Sequence, residues 1–183
     1  DAESHRSLAD RGSALVRFSP WFAKPRVVVP ELEPHICNTT HPASNWNSTL
    51  MDQVMADFQS AVCGSAAKSG ECEHSVVQQL STMPAWMYVN GYKQPLPANP
   101  WNTTNPFDAY GAGNKLVDSS CAQMARYFGR FVGWYTAGGF KDECGHWHAS
   151  GLKYSWYGLS VLNEDEHHIQ PDNGQAYTTC YDA

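Results

Sequence analysis

An α/β fold built from parallel βα units is the architecture this sequence predicts, and three observations predict it. Helical and strand-like runs alternate along the chain in the order helix, strand, helix, strand, helix, strand. Two longer segments carry apolar residues at helical spacing, while the strand-like runs between them are short and apolar. The long loops follow strands, which is where such folds put their active sites.

The elements follow in order. Residues 2–11 read as a short helix, with Gly12 as its stop. The apolar run 14–18 reads as a strand. Val27, Val28 and Val29 are β-branched, but Pro25 and Pro30 confine them to a short extended piece. From Leu50 the residues Met51, Val54, Met55, Phe58 and Val62 share a helix face, and Asn47, Ser48 and Thr49 offer N-caps. Small residues at 64–70 separate Cys63 from Cys72, so a disulfide between these two would close a short loop, and that pairing is expected. Residues 75–81 read as the next buried strand, ended by Pro84. Residues 92–114, rich in Pro, Gly and Asn, form a long loop. A second helix begins at Ser120, with Cys121, Met124, Tyr127, Phe128, Phe131 and Val132 on one face. Gly138 and Gly139 stop it. A Gly/His/Trp loop follows, and then a strand over 157–162.

Composition bounds the function. The 183 residues suit one core, and 42% hydrophobic against 16% charged residues reads as globular. The net charge is −6 with no Lys/Arg block, which argues against nucleic acid and against anionic membrane surfaces as partners. No apolar run approaches the ~20 residues needed to span a bilayer. Aromatic residues reach 13%, with seven Trp and nine Tyr, a supply of flat apolar faces that sugars and other ligands use; an aromatic-rich core is the alternative. Six cysteines, an even number, suit a disulfide framework, and no C-x-x-C pair suggests zinc or redox chemistry. Asn38-Thr39-Thr40, Asn47-Ser48-Thr49 and Asn102-Thr103-Thr104 are N-glycosylation sequons. Together these point to a secreted or extracellular protein, a lysosomal or cell-surface setting included. No signal peptide opens the chain, so it is expected to have been removed already.

The chemistry-bearing stretch is the last one. The strand over 157–162 runs straight into Asn163-Glu164-Asp165-Glu166-His167-His168. In a parallel βα fold this is the end of the strand that presents catalytic side chains. Glycoside cleavage needs one carboxylic acid to protonate the leaving oxygen and a second to attack or to activate water. An Asn before the acid suits contact with a sugar hydroxyl. An acidic loop at a strand end is the structural alternative. Arg17 is a candidate to hold substrate or orient Glu164, or equally a structural ion-pair partner. Trp86 is a candidate to stack on a sugar, or a core residue. Cys144, His146, His148, His167 and His168 match no zinc spacing, so no metal is expected, and His146 or His148 lining a sugar cleft is the better reading. Asp142 and Glu143 read as solvated loop charges. No phosphate-binding glycine loop and no G-x-S-x-G elbow occurs.

Leu162-Asn163-Glu164 at a strand end resembles the Asn-Glu signature on the fourth barrel strand of clan A glycoside hydrolases. Val16-Arg17-Phe18-Ser19-Pro20-Trp21 resembles the second strand. Leu80-Ser81-Thr82-Met83-Pro84-Ala85-Trp86-Met87 is similar to the third strand of glycoside hydrolase family 39, which includes xylosidases and iduronidases. Tyr127-Phe128-Gly129-Arg130-Phe131-Val132 resembles the third helix of those enzymes. The resemblance spans about residues 8 to 182. It implies a (β/α)8 TIM barrel in which residues 1–183 form a single incomplete domain, strands two to four of eight. It also implies that the clan's nucleophile, a Glu on strand seven, lies outside this chain. The remainder of the barrel, in a longer polypeptide or a second chain, is then an expected partner, and this piece alone is expected to be inactive.

The resemblance implies a retaining glycosidase acting on an extracellular glycan, a carbohydrate substrate and no cofactor. Glu164 is the expected acid/base, its pKa raised by the partner carboxylate and partial burial. Asn163 is expected to bind the sugar. The rival is a glycosidase-like domain kept as a structural or glycan-binding component of an extracellular assembly, without turnover.

Overall fold

The computed structural model describes residues 14–20, 27–64, 72–80, 82–92, 95–96, 98–101 and 116–161. The helix expected over 2–11, most of the 92–114 loop, and Asn102, Asn163 and Glu164 lie outside the described residues.

Strand β1 (Leu15–Phe18) is followed by helix α1 (Thr49–Cys63), strand β2 (Ser75–Leu80) and a 3-10 turn (Ala85–Met87). Helix α2 (Ala122–Thr136), strands β3 (Gly139–Lys141) and β4 (Trp147–Ala149), and strand β5 (Gly158–Val161) complete the order. Strands β1, β2 and β5 form one parallel sheet in that order. Neighbouring strands in the sheet are thus consecutive βα units, the pattern that alternating helices and strands predict. The register runs from Leu15↔Ser75 to Phe18↔Gln78 and from Val77↔Gly158 to Leu80↔Val161.

The pleat sorts the side chains. Phe18 stacks on Phe58 of α1 with ring centroids 4.0 Å apart, so Val16 and Phe18 face the helices. By register and alternation Val76 and Leu80 join them, and all four are core residues. The opposite face carries Leu15, Arg17, Val77, Gln79, Gly158 and Ser160. It is mixed rather than broadly apolar, and Leu15 on it is 55% exposed.

Helix α1 buries Met51, Met55, Phe58 and Val62, the stripe its sequence predicts. Its start is fixed by side chains: Asn47 Oδ1 accepts from Thr49 N at 3.1 Å, and Ser48 Oγ donates to Asp52 Oδ2 at 2.9 Å. Asp52 lies in the first turn, where the helix dipole favours a carboxylate. Its other oxygen accepts from Trp134 Nε1 at 2.9 Å and Tyr135 O–H at 2.8 Å. The first turn of α1 therefore meets the last turn of α2. In a regular βα array consecutive helices run parallel, first turn beside first turn, so this contact departs from that arrangement. The described residues thus establish an α/β unit with a parallel three-stranded sheet, and a closed barrel is not among them.

The stretch after α2, expected to be a loop, is an antiparallel hairpin pairing Gly139↔Ala149 and Lys141↔Trp147. Its strands are three residues each, too short for a periodic signal, and tertiary contacts fix them. Gly139 has φ 146°, and a Cβ there would lie 2.1 Å from His148 O and 3.0 Å from Trp147 Cζ2. Only glycine lets β4 come that close.

Two disulfides join described residues. Cys63–Cys72 is the expected pair, and Cys37–Cys144 ties the loop after β1 to the hairpin turn. Cys121 is disulfide-bonded as well. Such bonds belong to oxidising compartments and are compatible with an extracellular protein. No described helix is long and apolar enough to cross a membrane. Asn38 and Asn47 are exposed, as glycan acceptors must be. The Cys63–Cys72 bridge closes a loop of sequence separation 9 at the exit of α1. Its loss by paired Cys→Ser substitution is expected to cost about 2–3 kcal/mol through regained freedom of the unfolded chain. The shift in urea midpoint measures it, and an unchanged midpoint would show that the bridge adds no constraint.

Candidate functional site

Three elements lead to the C-terminal edge of the sheet. The chain leaves β1 at Ser19, whose Oγ donates to Gln79 Oε1 at 2.5 Å. It leaves β2 through Thr82 and Met83 into the turn that holds Trp86. It leaves β5 at Val161, directly paired with Leu80. Arg17 sits one residue before the end of β1, on the sheet face opposite the helices.

Trp86 lines a pocket of about 360 Å³ together with Pro34, His35, Val117, Gln123, Arg126, Arg130 and Glu143. Five parts of the chain build it, the Trp86 turn among them. Gln123, Arg126 and Arg130 lie at i, i+3 and i+7 on one face of α2. Val117 is held against the Trp86 turn, its N–H donating to Met87 O at 2.9 Å. Pro34 and His35 come from the loop after β1, and Glu143 from the hairpin turn.

A buried ion cluster forms the floor. Arg130 donates from Nε to Glu31 Oε1 at 3.0 Å and from Nη2 to Glu31 Oε2 at 2.7 Å, a two-pronged pair. Its Nη1 donates to Glu143 Oε1. His35 Nε2 lies 2.8 Å from Glu143 Oε2 and 3.4 Å from Glu31 Oε1. Arg126 Nε reaches Glu143 Oε1 at 3.5 Å. Glu31 is 0% exposed, and burial pushes its carboxyl up to about 7 even though Arg130 pulls it down. Burial also lowers His35, with Arg130 adding to it.

Beside this cluster lies a second knot. Asp142 accepts from the backbone N–H of Ser44 and of His146, each at 2.8 Å, and sits 2.8 Å from His148 Nε2. Burial opposes its charge, but these donors outweigh it and hold the carboxyl at about 2. Asp142 and Glu143, expected to be solvated loop charges, are thus structural partners: the loop folds back and their tertiary donors replace water. Ser44 Oγ is 3.2 Å from His148 Nε2, so Ser44, His148 and Asp142 resemble a hydrolytic triad in composition. The geometry is wrong for one. Both partners meet the same ring nitrogen, whereas a triad needs the acid on one nitrogen and the nucleophile on the other. The knot clamps the loop to the hairpin, and His148 stacks on Phe140 with centroids 4.9 Å apart.

The structure therefore brings Trp86 into a pocket and sets His146 and His148 in the hairpin, outside that pocket's lining. No metal-binding group of three or more His, Cys, Asp or Glu occurs among the described residues. Glu31, His35 and Arg130 went unread as a cluster. The signal for it was an Arg between Tyr127 and Phe131 on the apolar face of α2, where burial demands an acid partner.

Comparison of the chain with protein-family models, with curated proteins and with solved structures gives no match.

Proposed function

We propose that this chain is the acid/base-bearing part of a retaining glycoside hydrolase that works on an extracellular glycan. The observation that carries the reading is the register Leu80↔Val161 in a parallel sheet. Strand β5 ends beside β2, and Leu162-Asn163-Glu164 follows Val161 at once. A carboxylic acid presented there matches the strand-end placement of catalytic groups in βα folds. Glu164 protonates the leaving oxygen and, in the second step, takes a proton from water. Asn163 binds the sugar. The second carboxylate comes from the remainder of a (β/α)8 barrel. Strand β5, at the edge of the sheet among the described residues, supports such a remainder: Leu159, on the helix side, is 42% exposed, and Tyr157 before it is 76% exposed.

The test is the stereochemistry of hydrolysis. The full-length protein is given aryl β-glycosides, and the first-formed sugar is followed by proton NMR. Retention of the β anomer is expected. Inversion would overturn the two-step reading, and absence of turnover on every aryl glycoside tried would favour the non-catalytic rival.

A further inference from the structure

The pocket beside Trp86 points to a second role for this end of the molecule. We propose that it is a saccharide subsite that holds a neutral pyranose unit of the glycan; this rests on the glycan reading above. A volume of about 360 Å³ falls in the range of small-ligand sites. Trp86, Pro34 and Val117 give it an apolar wall. The indole is half-buried while its Nε1 is fully hidden, so the ring meets the pocket with carbon. That suits the C–H face of a sugar ring. Gln123, Arg126 and Glu143 supply donors and acceptors for hydroxyls around it.

Charge decides between a neutral and an acidic sugar. All three guanidinium nitrogens of Arg130 are engaged: Nε and Nη2 go to Glu31 and Nη1 to Glu143. Arg126 is 52% exposed, but it faces Glu143 at 3.5 Å and interacts with Asp118, which precedes its helix. Above about pH 7, where Glu31 is ionised, the two guanidinium groups are matched by two carboxylates in the cluster, with Asp118 beside them. A uronate or sulfate would have to displace a carboxylate to gain a cation, whereas neutral hydroxyls can donate to Glu143 and accept from Arg126 together.

The site is also rigid. The loop bearing Pro34 and His35 is tied down by the Glu31–Arg130 pair and by Cys37–Cys144. The Trp86 turn is tied by Met87 N to Pro84 O at 3.0 Å and by Val117 N to Met87 O at 2.9 Å. Little ordering remains for a ligand to impose.

The experiment is calorimetric titration of the full-length protein, wild type and E164Q, with neutral β-linked tetrasaccharides of glucose, xylose and mannose. Tetragalacturonate and a heparin-derived tetrasaccharide are the acidic counter-probes. At least one neutral probe should bind, with W86A and R126A weakening it by about tenfold or more and W86F by less. In E164Q turnover of the probe is suppressed, so binding is read apart from cleavage and a failure of the hydrolase reading leaves this test intact. Arg126 is exposed, so R126A keeps the test valid if W86A fails to fold. Binding of acidic probes alone, unchanged affinity in R126A and in folded W86A, or no binding of any neutral probe would overturn the proposal.

Discussion

Glu164→Gln in the full-length protein should lower turnover by about 10²–10⁴-fold on glycosides with poor leaving groups, the usual contribution of general acid–base catalysis. The substitution keeps the size and shape of the side chain and removes its ability to give and take a proton. An alkoxide leaving group needs that proton as the glycosidic bond breaks. A nitrophenolate does not, so aryl glycosides should lose much less in the first step. Their second step still needs a base to activate water, so the glycosyl-enzyme should accumulate and an initial burst should appear. The ratio of the two losses is therefore the diagnostic quantity. Equal losses on both substrate classes would make Glu164 a structural residue. Asn163→Ala should act differently, weakening a contact to a sugar hydroxyl on both classes alike.

The strands and helices were legible because each obeys a local rule. The stripe Met51, Met55, Phe58 and Val62 could only be one face of a helix, and it is buried as such. The runs that became β1, β2 and β5 were apolar and bounded by Gly or Pro, and the pairing followed from their alternation with helices. The hairpin was not legible, since three-residue strands carry no period. What holds it is distant in sequence: Cys37 on Cys144, Ser44 on Asp142, and Trp147 over Gly139. The ion cluster was hidden for the same reason, since Glu31 and Arg130 are 99 positions apart in the chain. The candidate site divides along this line. Trp86 was found because it follows a strand, while His35 and Glu143 enter the pocket through tertiary ties that no spacing rule reports.

Those ties set the last expected result, the loss of the buried cation. Arg130→Met should destabilise the fold by about 3–5 kcal/mol, the cost of stranding a buried charge by removing its partner. Arg130 is 5% exposed and Glu31 0%, so water cannot replace the guanidinium. The size of the loss should depend on pH. Burial raises the Glu31 carboxyl from its ordinary 4.5 to about 7 in the folded protein. The folded state therefore binds this proton more tightly than the unfolded state. Stability from that source is fully present below about 4.5 and is lost as pH rises through about 7. Without Arg130, which pulls the value down, the carboxyl should titrate higher still. At pH 5 it is then protonated with or without the guanidinium, and Arg130→Met costs least; at pH 8 the wild type keeps an ion pair that the variant cannot form, and the cost is greatest. Urea unfolding of both proteins at the two pH values measures this. The double variant E31M/R130M should recover much of the loss at pH 8, because apolar side chains of similar volume replace a buried pair at little cost. A loss that is equal at both pH values, or a double variant no more stable than R130M, would mean that the stranded carboxylate is not what destabilises the fold.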